Sequence, residues 1–399
     1  MAGRGPRTAG GRRRAGESGH SANSGTASGT TRGAASGPGQ ARDESLVRIH
    51  DLAGRPRGTG FVADHHGTVI TSHEAVDGLP RLLLYAAEDR HCVVTADAVT
   101  ALPELNLALV RTEGLGVDPL PVTVRDRIET GAYVRIAAGC WREARVLGAA
   151  TVTYTATDRF HLLDSALELA IGTAGRDALR LGGGAAGGPV LDAATGAVLG
   201  VLGTALQGSG RDAGFAVPLL PAPAGPLAEL LGENAATVPA YGVDLNLAGV
   251  LELTATSVGQ DGPSGALAGY VGRAGTGTPG SVAPVQRAAT ATEFEAFTRG
   301  PAAVLALVGP PGSGRTTELA SLAARRNRGA RPAPTLWLRG ADLRDDDTSV
   351  ADAARRALTR AARIVAASRS VQVADLGDTT PERLAHLART ADRPLLLLL

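Results

Sequence analysis

The 399-residue chain contains no lysine, so its 40 basic residues are all arginine. With 53 glycines and much alanine, this is the mark of GC-rich coding DNA such as actinobacteria carry. It speaks of codons before it speaks of function. Aromatic residues make up 3%, so any core must be built from Leu, Val and Ala. Only two cysteines occur, Cys92 and Cys140, with no CxxC spacing. That excludes a disulfide framework and a cysteine zinc site, and it fits a reducing cytoplasm. A formal net charge of +1 argues against general nucleic-acid binding. No uninterrupted apolar run reaches the roughly 18 residues that a membrane span requires. No apolar signal core follows the N-terminal arginines, so no secretion signal is expected and a cytoplasmic location is.

What is present is enough for two or three domains, with 44% apolar residues to bury. Residues 1–42 are Gly, Ser, Ala, Thr and Arg without hydrophobic periodicity, and read as a disordered tail. Residues 43–221 read as an all-β domain and residues 222–291 as a connector with a flexible linker over Gln260 to Pro284. Within the connector, Pro226 to Leu231 predicts a short closing helix, and Leu245 to Val258 a strand or hairpin returning to the β domain. Residues 292–399 read as an α/β domain. No internal repeat is visible.

The β domain announces itself by strand signals every eight to twelve residues, divided by Gly, Asp and Pro. They fall at Leu46–His50, Gly58–Ala63, Thr68–Thr71, Arg81–Tyr85, His91–Val94, Leu107–Arg111, Tyr133–Ala137, Arg145–Ala149, Ala197–Leu202 and Gly214–Val217. Phe160 to Ile171 alternates less and reads as a strand pair or a short helix.

Five pieces of this segment stand in a telling order: Gly58-Thr59-Gly60-Phe61-Val62, then Gly67 to His73, then Leu105 to Val110, then Leu181-Gly-Gly-Gly-Ala-Ala-Gly-Gly-Pro-Val190, and last Gly214-Phe215-Ala216-Val217-Pro218. Together they resemble the trypsin-like serine peptidases, and the closing piece resembles the bacterial Deg-type branch. The resemblance implies two packed six-stranded barrels. It places His73 at the catalytic histidine, Asn106 at the catalytic aspartate, Ala186 at the nucleophilic serine, and Gly184 with Ala186 at the oxyanion hole. Such a site needs a hydroxyl to attack, an imidazole to take its proton and a carboxylate to fix the imidazole tautomer. Ala186 offers no hydroxyl. Asn106 carries no charge, a change that costs on the order of 10⁴ in turnover in that chemistry. The oxyanion hole consists of main-chain N–H groups and does not need the serine. Glu104, two residues before Asn106, is a candidate replacement carboxylate. Ser209 in Gly208-Ser209-Gly210 is a candidate displaced nucleophile. His65 and His66 have no acidic or cysteine partner at ligand spacing.

In the last segment the apolar run Ala302 to Val308 predicts a buried parallel strand. Gly309-Pro-Pro-Gly312-Ser313-Gly314-Arg315-Thr316-Thr317 follows, and then a helix over Glu318 to Arg326. Strand, glycine-rich loop and helix are the parts of a phosphate cradle, with main-chain N–H groups aimed at the β-phosphate. The stretch resembles the P-loop NTPases of the AAA-like and STAND branches. The resemblance implies ATP or GTP held by Gly309, Gly312, Ser313, Gly314, Arg315, Thr316 and Thr317, with Mg²⁺ on the Thr316 hydroxyl. Arg315 replaces the family's lysine, and a planar guanidinium is not a compact ammonium. Further elements are expected at Thr335–Arg339 (strand), Ser349–Ala367 (helix), Pro381–Thr390 (helix) and Pro394–Leu399 (strand). The acidic residue that normally ends such a strand is not among these residues, so the P-loop domain is expected to be incomplete here.

Together these readings imply a catalytically impaired trypsin-like domain that grips a peptide or protein ligand, coupled to a nucleotide-binding module, in a signalling or regulatory protein. Two alternatives stand beside it: an active serine endopeptidase with a non-standard nucleophile, and an ATP or GTP hydrolase regulated by the β domain.

Overall fold

Among the described residues, fifteen strands and six helices are built from the predicted patterns in a computed structural model. It describes residues 45–138, 140–173, 175, 177, 179, 184–208, 213–221, 224–261, 287–369 and 373–399. The tail expected over residues 1–42, most of the expected linker and Ser209 lie outside the described residues.

Two β sheets carry the first half. One is seven-stranded: β1 (Leu46–His50), β2 (Pro56–Val62), β3 (Val69–Ser72), β4 (Arg81–Tyr85), β5 (His91–Thr95), β6 (Val99–Leu102) and β7 (Leu107–Val110). Their order is β5-β4-β1-β2-β3-β7-β6. Alternation decides which faces go inward: Val47 and Ile49 of β1 and Leu82 and Leu84 of β4 are buried, whereas Arg48 and Arg81 are exposed. The second sheet is a closed barrel of β8 (Tyr133–Ala138), β9 (Cys140–Thr155), β10 (Phe160–Ala170), β11 (Pro189–Asp192), β12 (Val198–Gly203) and β13 (Gly214–Pro218). Six strands were expected in each half, and the first sheet has seven because Val99–Leu102 pairs with β7 as a short edge. The undecided stretch Phe160–Ile171 is one strand, paired in a long hairpin with β9. Between the two sheets a shared core contains Phe61, Ile70, Leu107, Val152, Tyr154, Leu163 and Val201.

Helix α1 (Pro226–Thr237) closes this domain, as expected, with Pro226 in its first turn. Its buried Asn234 accepts from the Val122 N–H at 2.8 Å and donates to the carbonyls of Ala63 and Leu120 at 2.7 and 2.9 Å.

The strand or hairpin expected over Leu245 to Val258 is instead helix α2 (Leu247–Asp261). Asn246 accepts from the Gly249 N–H at 3.0 Å, as an N-terminal cap does. Val250, Leu253, Ser257 and Val258 recur at helical spacing and are buried. The packing explains the difference. Leu253 joins a core with Leu336, Ala357 and Leu384 of the C-terminal region, not with the β domain.

That region consists of α3 (Ala288–Arg299), α4 (Arg315–Arg328), β14 (Thr335–Trp337), α5 (Val350–Arg369), α6 (Pro381–Thr390) and β15 (Leu396–Leu398). β14 and β15 pair in parallel, Thr335 opposite Leu396. The strand expected over Ala302 to Val308 does not form. Val304 and Val308 are 82% and 89% exposed, and the run lines a cavity of about 890 Å³ against Pro394–Leu399. An apolar run states a preference for burial. It does not supply a main-chain partner, and this one has not hydrogen-bonded to the β15 edge.

Candidate functional site

His73 follows directly on β3, in a single 3-10 turn, His73–Ala75, and is 8% exposed. Its N–H donates to the Asn106 carbonyl at 3.1 Å. Asn106 closes a second 3-10 turn, Pro103–Leu105, in the left-handed conformation (φ 47°, ψ 40°). Asn and Asp enter that region more readily than other non-glycine residues. The Asn106 Oδ1 accepts from the Glu74 N–H at 3.2 Å, and its buried Nδ2 has no partner among the described residues.

The imidazole is bonded elsewhere. Nδ1 of His73 shares a hydrogen bond of 2.7 Å with the Tyr154 hydroxyl, and the two rings meet edge to face at 5.8 Å. On its other side Tyr154 stacks against His161 at 6.0 Å. Nothing in the chain order foretold Tyr154, because its partner lies 81 positions away. The alternation of β9 was the one available signal: Val152, Tyr154 and Ala156 share its buried face.

The glycine-rich loop is fastened to the first sheet through Thr59. The Thr59 N–H donates to the Ala186 carbonyl at 2.7 Å, its hydroxyl donates to the Gly184 carbonyl, and its own carbonyl accepts from the Thr71 hydroxyl at 2.7 Å. Gly187 (φ 83°) lies so close to β3 that a Cβ there would stand 2.1 Å from the Thr71 Oγ1 and 2.7 Å from the Ser72 nitrogen. Ser72 immediately precedes His73, so the loop carrying Ala186 is packed beside the histidine turn. The Ala186 methyl is buried, at 2% exposure.

Burial sets the electrostatics. It pushes the His73 pKa below its usual value against the opposing charges of Asp77, Asp158 and Glu104, with His161 adding to the depression. It raises the Tyr154 phenol well above its ordinary range, so this hydroxyl stays neutral. It also raises the Glu74 carboxyl, although the N–H groups of Thr204 and Ala205, just beyond β12, donate to it. Glu104 is exposed on its 3-10 turn.

The second candidate site begins at α4. Gly312 and Gly314 adopt left-handed conformations (φ 79° and 81°), and Gly314 caps the helix. Arg315 and Thr316 are exposed, and the Ser313 hydroxyl is buried without a partner among the described residues. Arg287 donates to the Ser313 carbonyl and pairs with Glu318 at 3.2 Å, so a guanidinium other than that of Arg315 also lies against the loop.

A family model described as a trypsin-like peptidase domain matches residues 58–201. Among solved structures, the active form of the Rv3671c protease from M. tuberculosis is 23% identical (TM-score 0.36), covering 48% of this chain and 81% of that one. The MamO protease domain from Magnetospirillum magneticum is 20% identical (TM-score 0.34), over 44% and 92%. The HtrA-type protease AlgW with a tripeptide is 14% identical (TM-score 0.34), over 44% and 56%. No curated protein matches the chain. The domain that positions His73 and Ala186 is thus trypsin-like in fold, and residues 58–201 match that family.

Proposed function

We propose that the trypsin-like domain grips an extended peptide or protein segment without cutting it, as the binding half of a signalling or regulatory protein. The observation that carries this reading is the buried methyl of Ala186 on the loop packed beside His73. A methyl group cannot attack a carbonyl, and no acyl-enzyme can form on it. A second observation points the same way. The His73 nitrogen that a catalytic carboxylate would orient is bonded to Tyr154, and the Asn106 side chain holds the Glu74 main chain. The Gly184 and Ala186 main-chain N–H groups would be the donors to a carbonyl or carboxylate oxygen of a bound segment. The test is a fluorophosphonate probe together with a peptide array. Binding of peptides with no labelled residue is expected. Covalent labelling of any hydroxyl in the domain would establish the alternative, a peptidase with a non-standard nucleophile.

A second reading concerns the loop before α4. Two left-handed glycines at the start of a 14-residue helix and the Ser313 hydroxyl, buried with no partner among the described residues, fit a phosphate group. Gly309, Gly312, Ser313 and Gly314 would surround it, Arg315 would meet its charge, and the Thr316 and Thr317 hydroxyls would lie at the helix start, Thr316 as the Mg²⁺ ligand. Calorimetry with ATP and GTP, using Arg315→Ala as the control, tests nucleotide binding. Equal heats in the presence and absence of that side chain would remove the reading.

A further inference from the structure

The β9–β10 hairpin does more than complete the barrel. Its end reaches out of the second sheet and is fastened at three points around His73. Thr153 and Gln207 form an isolated antiparallel bridge, with N–H to carbonyl bonds of 2.8 Å and 2.9 Å in the two directions. Gln207 lies four residues beyond β12, and the bridge occupies its main-chain N–H and carbonyl, with which another strand could otherwise pair. One residue on, Tyr154 bonds His73. Three residues further, the Thr157 N–H and hydroxyl both donate to the Asp77 carboxylate, at 2.7 and 2.9 Å. Asp77 belongs to the first sheet's side of the cleft, four residues after His73, and the Asp77 N–H itself donates to the His73 carbonyl at 2.9 Å.

These attachments are polar, and two of them are at the surface: Thr153, Gln207 and Thr157 are exposed. Phe160 and Leu162 share a face with their pairing partners Thr155 and Thr153, and are 75% and 64% exposed. A core hairpin would keep its large apolar residues on the inner face. Here Tyr154 and Leu163 lie on the inner face, and Phe160 and Leu162 remain exposed on the outer one. The His161 Nε2, stacked beside Tyr154, is buried without a hydrogen-bond partner among the described residues, so the closed arrangement leaves a polar cost unmet.

We propose that the end of this hairpin, residues 153–162, is an internal occupant of the cleft, and that the ligand is an extended peptide that displaces it. This rests on the peptide-gripping function proposed above and deepens it. The ligand pairs antiparallel with Gln207 where Thr153 now pairs, and sets a hydrogen-bonding aromatic side chain beside His73 where Tyr154 now lies. Val152 and Leu163 remain in the shared core during the exchange while Tyr154 and Ala156 leave it, so the barrel stays closed behind the moving end and the ligand's aromatic side chain takes the place of Tyr154. Binding competence is then set by how often the end detaches.

The test uses the full chain. Native-state hydrogen exchange on the wild type reads whether the Thr153 and Gln207 amides open locally. Local opening, at least about tenfold more frequent than that of the β12 amide Leu202, is expected. Exchange of Thr153 and Gln207 only together with Leu202, by global unfolding, would overturn the proposal. A second arm uses Tyr154→Phe with Asp77→Ala, which removes two attachments and keeps the aromatic ring in the core. A fluorescent synthetic peptide carrying residues 150–157 should bind this variant on the order of tenfold or more tightly than the wild type. Equal binding, with the variant shown to be folded, would also overturn it. If that probe binds the unlatched cleft while a broad peptide library yields no ligand, the internal occupant stands and the peptide-gripping function fails. If library peptides bind while the hairpin end never opens, the function stands and the occupant fails.

Discussion

The main-chain N–H of His73 donates to the carbonyl of Asn106 at 3.1 Å, so the two residues meet through their backbones, while the imidazole is bonded to Tyr154. On the proposed reading, in which the domain grips without cutting, this relationship governs the effect of placing a serine in the loop. Ala186→Ser restores a hydroxyl to the loop but leaves Nδ1 without a carboxylate. Little turnover is expected. Adding Asn106→Asp supplies the charge at a left-handed position that Asp tolerates, and turnover should rise by roughly 10² or more. Adding Tyr154→Phe should raise it again, because it removes the competing partner of Nδ1. Rates on a fluorogenic peptide library check the order. A double variant as fast as the triple would mean that the Tyr154 bond does not restrain the ring.

Acid should weaken the fold through His73. Its folded pKa lies below the ordinary histidine value of 6.5 because of burial. As pH falls below about 6.5, the unfolded chain takes up a proton that the folded chain resists, so the His73 contribution is present above that pH and lost beneath it. The limit is about 1.4 kcal/mol per pH unit for one proton. Glu74 works in the opposite sense, since its raised pKa favours the folded state at low pH and loses that contribution as pH rises above about 4.5. Urea midpoints from pH 7 to 5, compared between wild type and His73→Gln, isolate the histidine. Parallel curves would contradict the assignment.

The strand pattern of the first sheet was legible because its strands are short, alternate in polarity and are divided by Gly, Asp and Pro. Arg81–Tyr85 was predicted to the residue. The site was legible only as a set of motifs. Those motifs could place His73, Asn106 and Ala186 near each other, but not say what each side chain bonds. Tyr154 escaped because a cross-cleft pair leaves no local spacing. The helix α2 escaped because Leu, Val and Thr suit a strand as well as a helix, and only the partners in the C-terminal core decide. The run Ala302 to Val308 failed in the other direction: its composition asks for burial that no hydrogen-bonded neighbour provides here.

Gly187→Ala should be among the most damaging single substitutions in the β domain. A Cβ there would meet the Thr71 hydroxyl oxygen at 2.1 Å and the Thr59 carbonyl oxygen at 2.3 Å, and two of the three nearest atoms are main chain. The positive φ adds strain that an alanine cannot relieve. About 3 kcal/mol or more of destabilisation is expected. Gly54→Ala also sits at positive φ but has open space around it, so it should cost about 1 kcal/mol. Paired denaturation curves compare clash with strain, and equal losses would show that the close approach to Thr71 relaxes freely.

Arg125 ties the β domain to the C-terminal region, and its loss should uncouple them. Its guanidinium donates to Asp244 at 2.8 and 2.7 Å and to Asp192 at 2.8 Å. The Asp244 side chain is 1% exposed, and it also accepts from the hydroxyls of Thr123 and Thr195. Asp192 ends β11, just beyond the loop of Ala186, while Asp244 ends a 3-10 turn whose Gly242 carbonyl accepts from Arg383 of α6 at 2.7 Å. Arg125→Ala would leave a buried carboxylate with two hydroxyls and no cation, a loss of about 3–5 kcal/mol. Arg125→Met with Asp244→Leu, which removes both charges and keeps the bulk, should recover most of it. Calorimetry should show two separated transitions in the single variant and one in the wild type. If Arg125→Ala melts in one transition with a loss under about 1 kcal/mol, the seam is held by its apolar contacts, and the ion network does not couple the two parts.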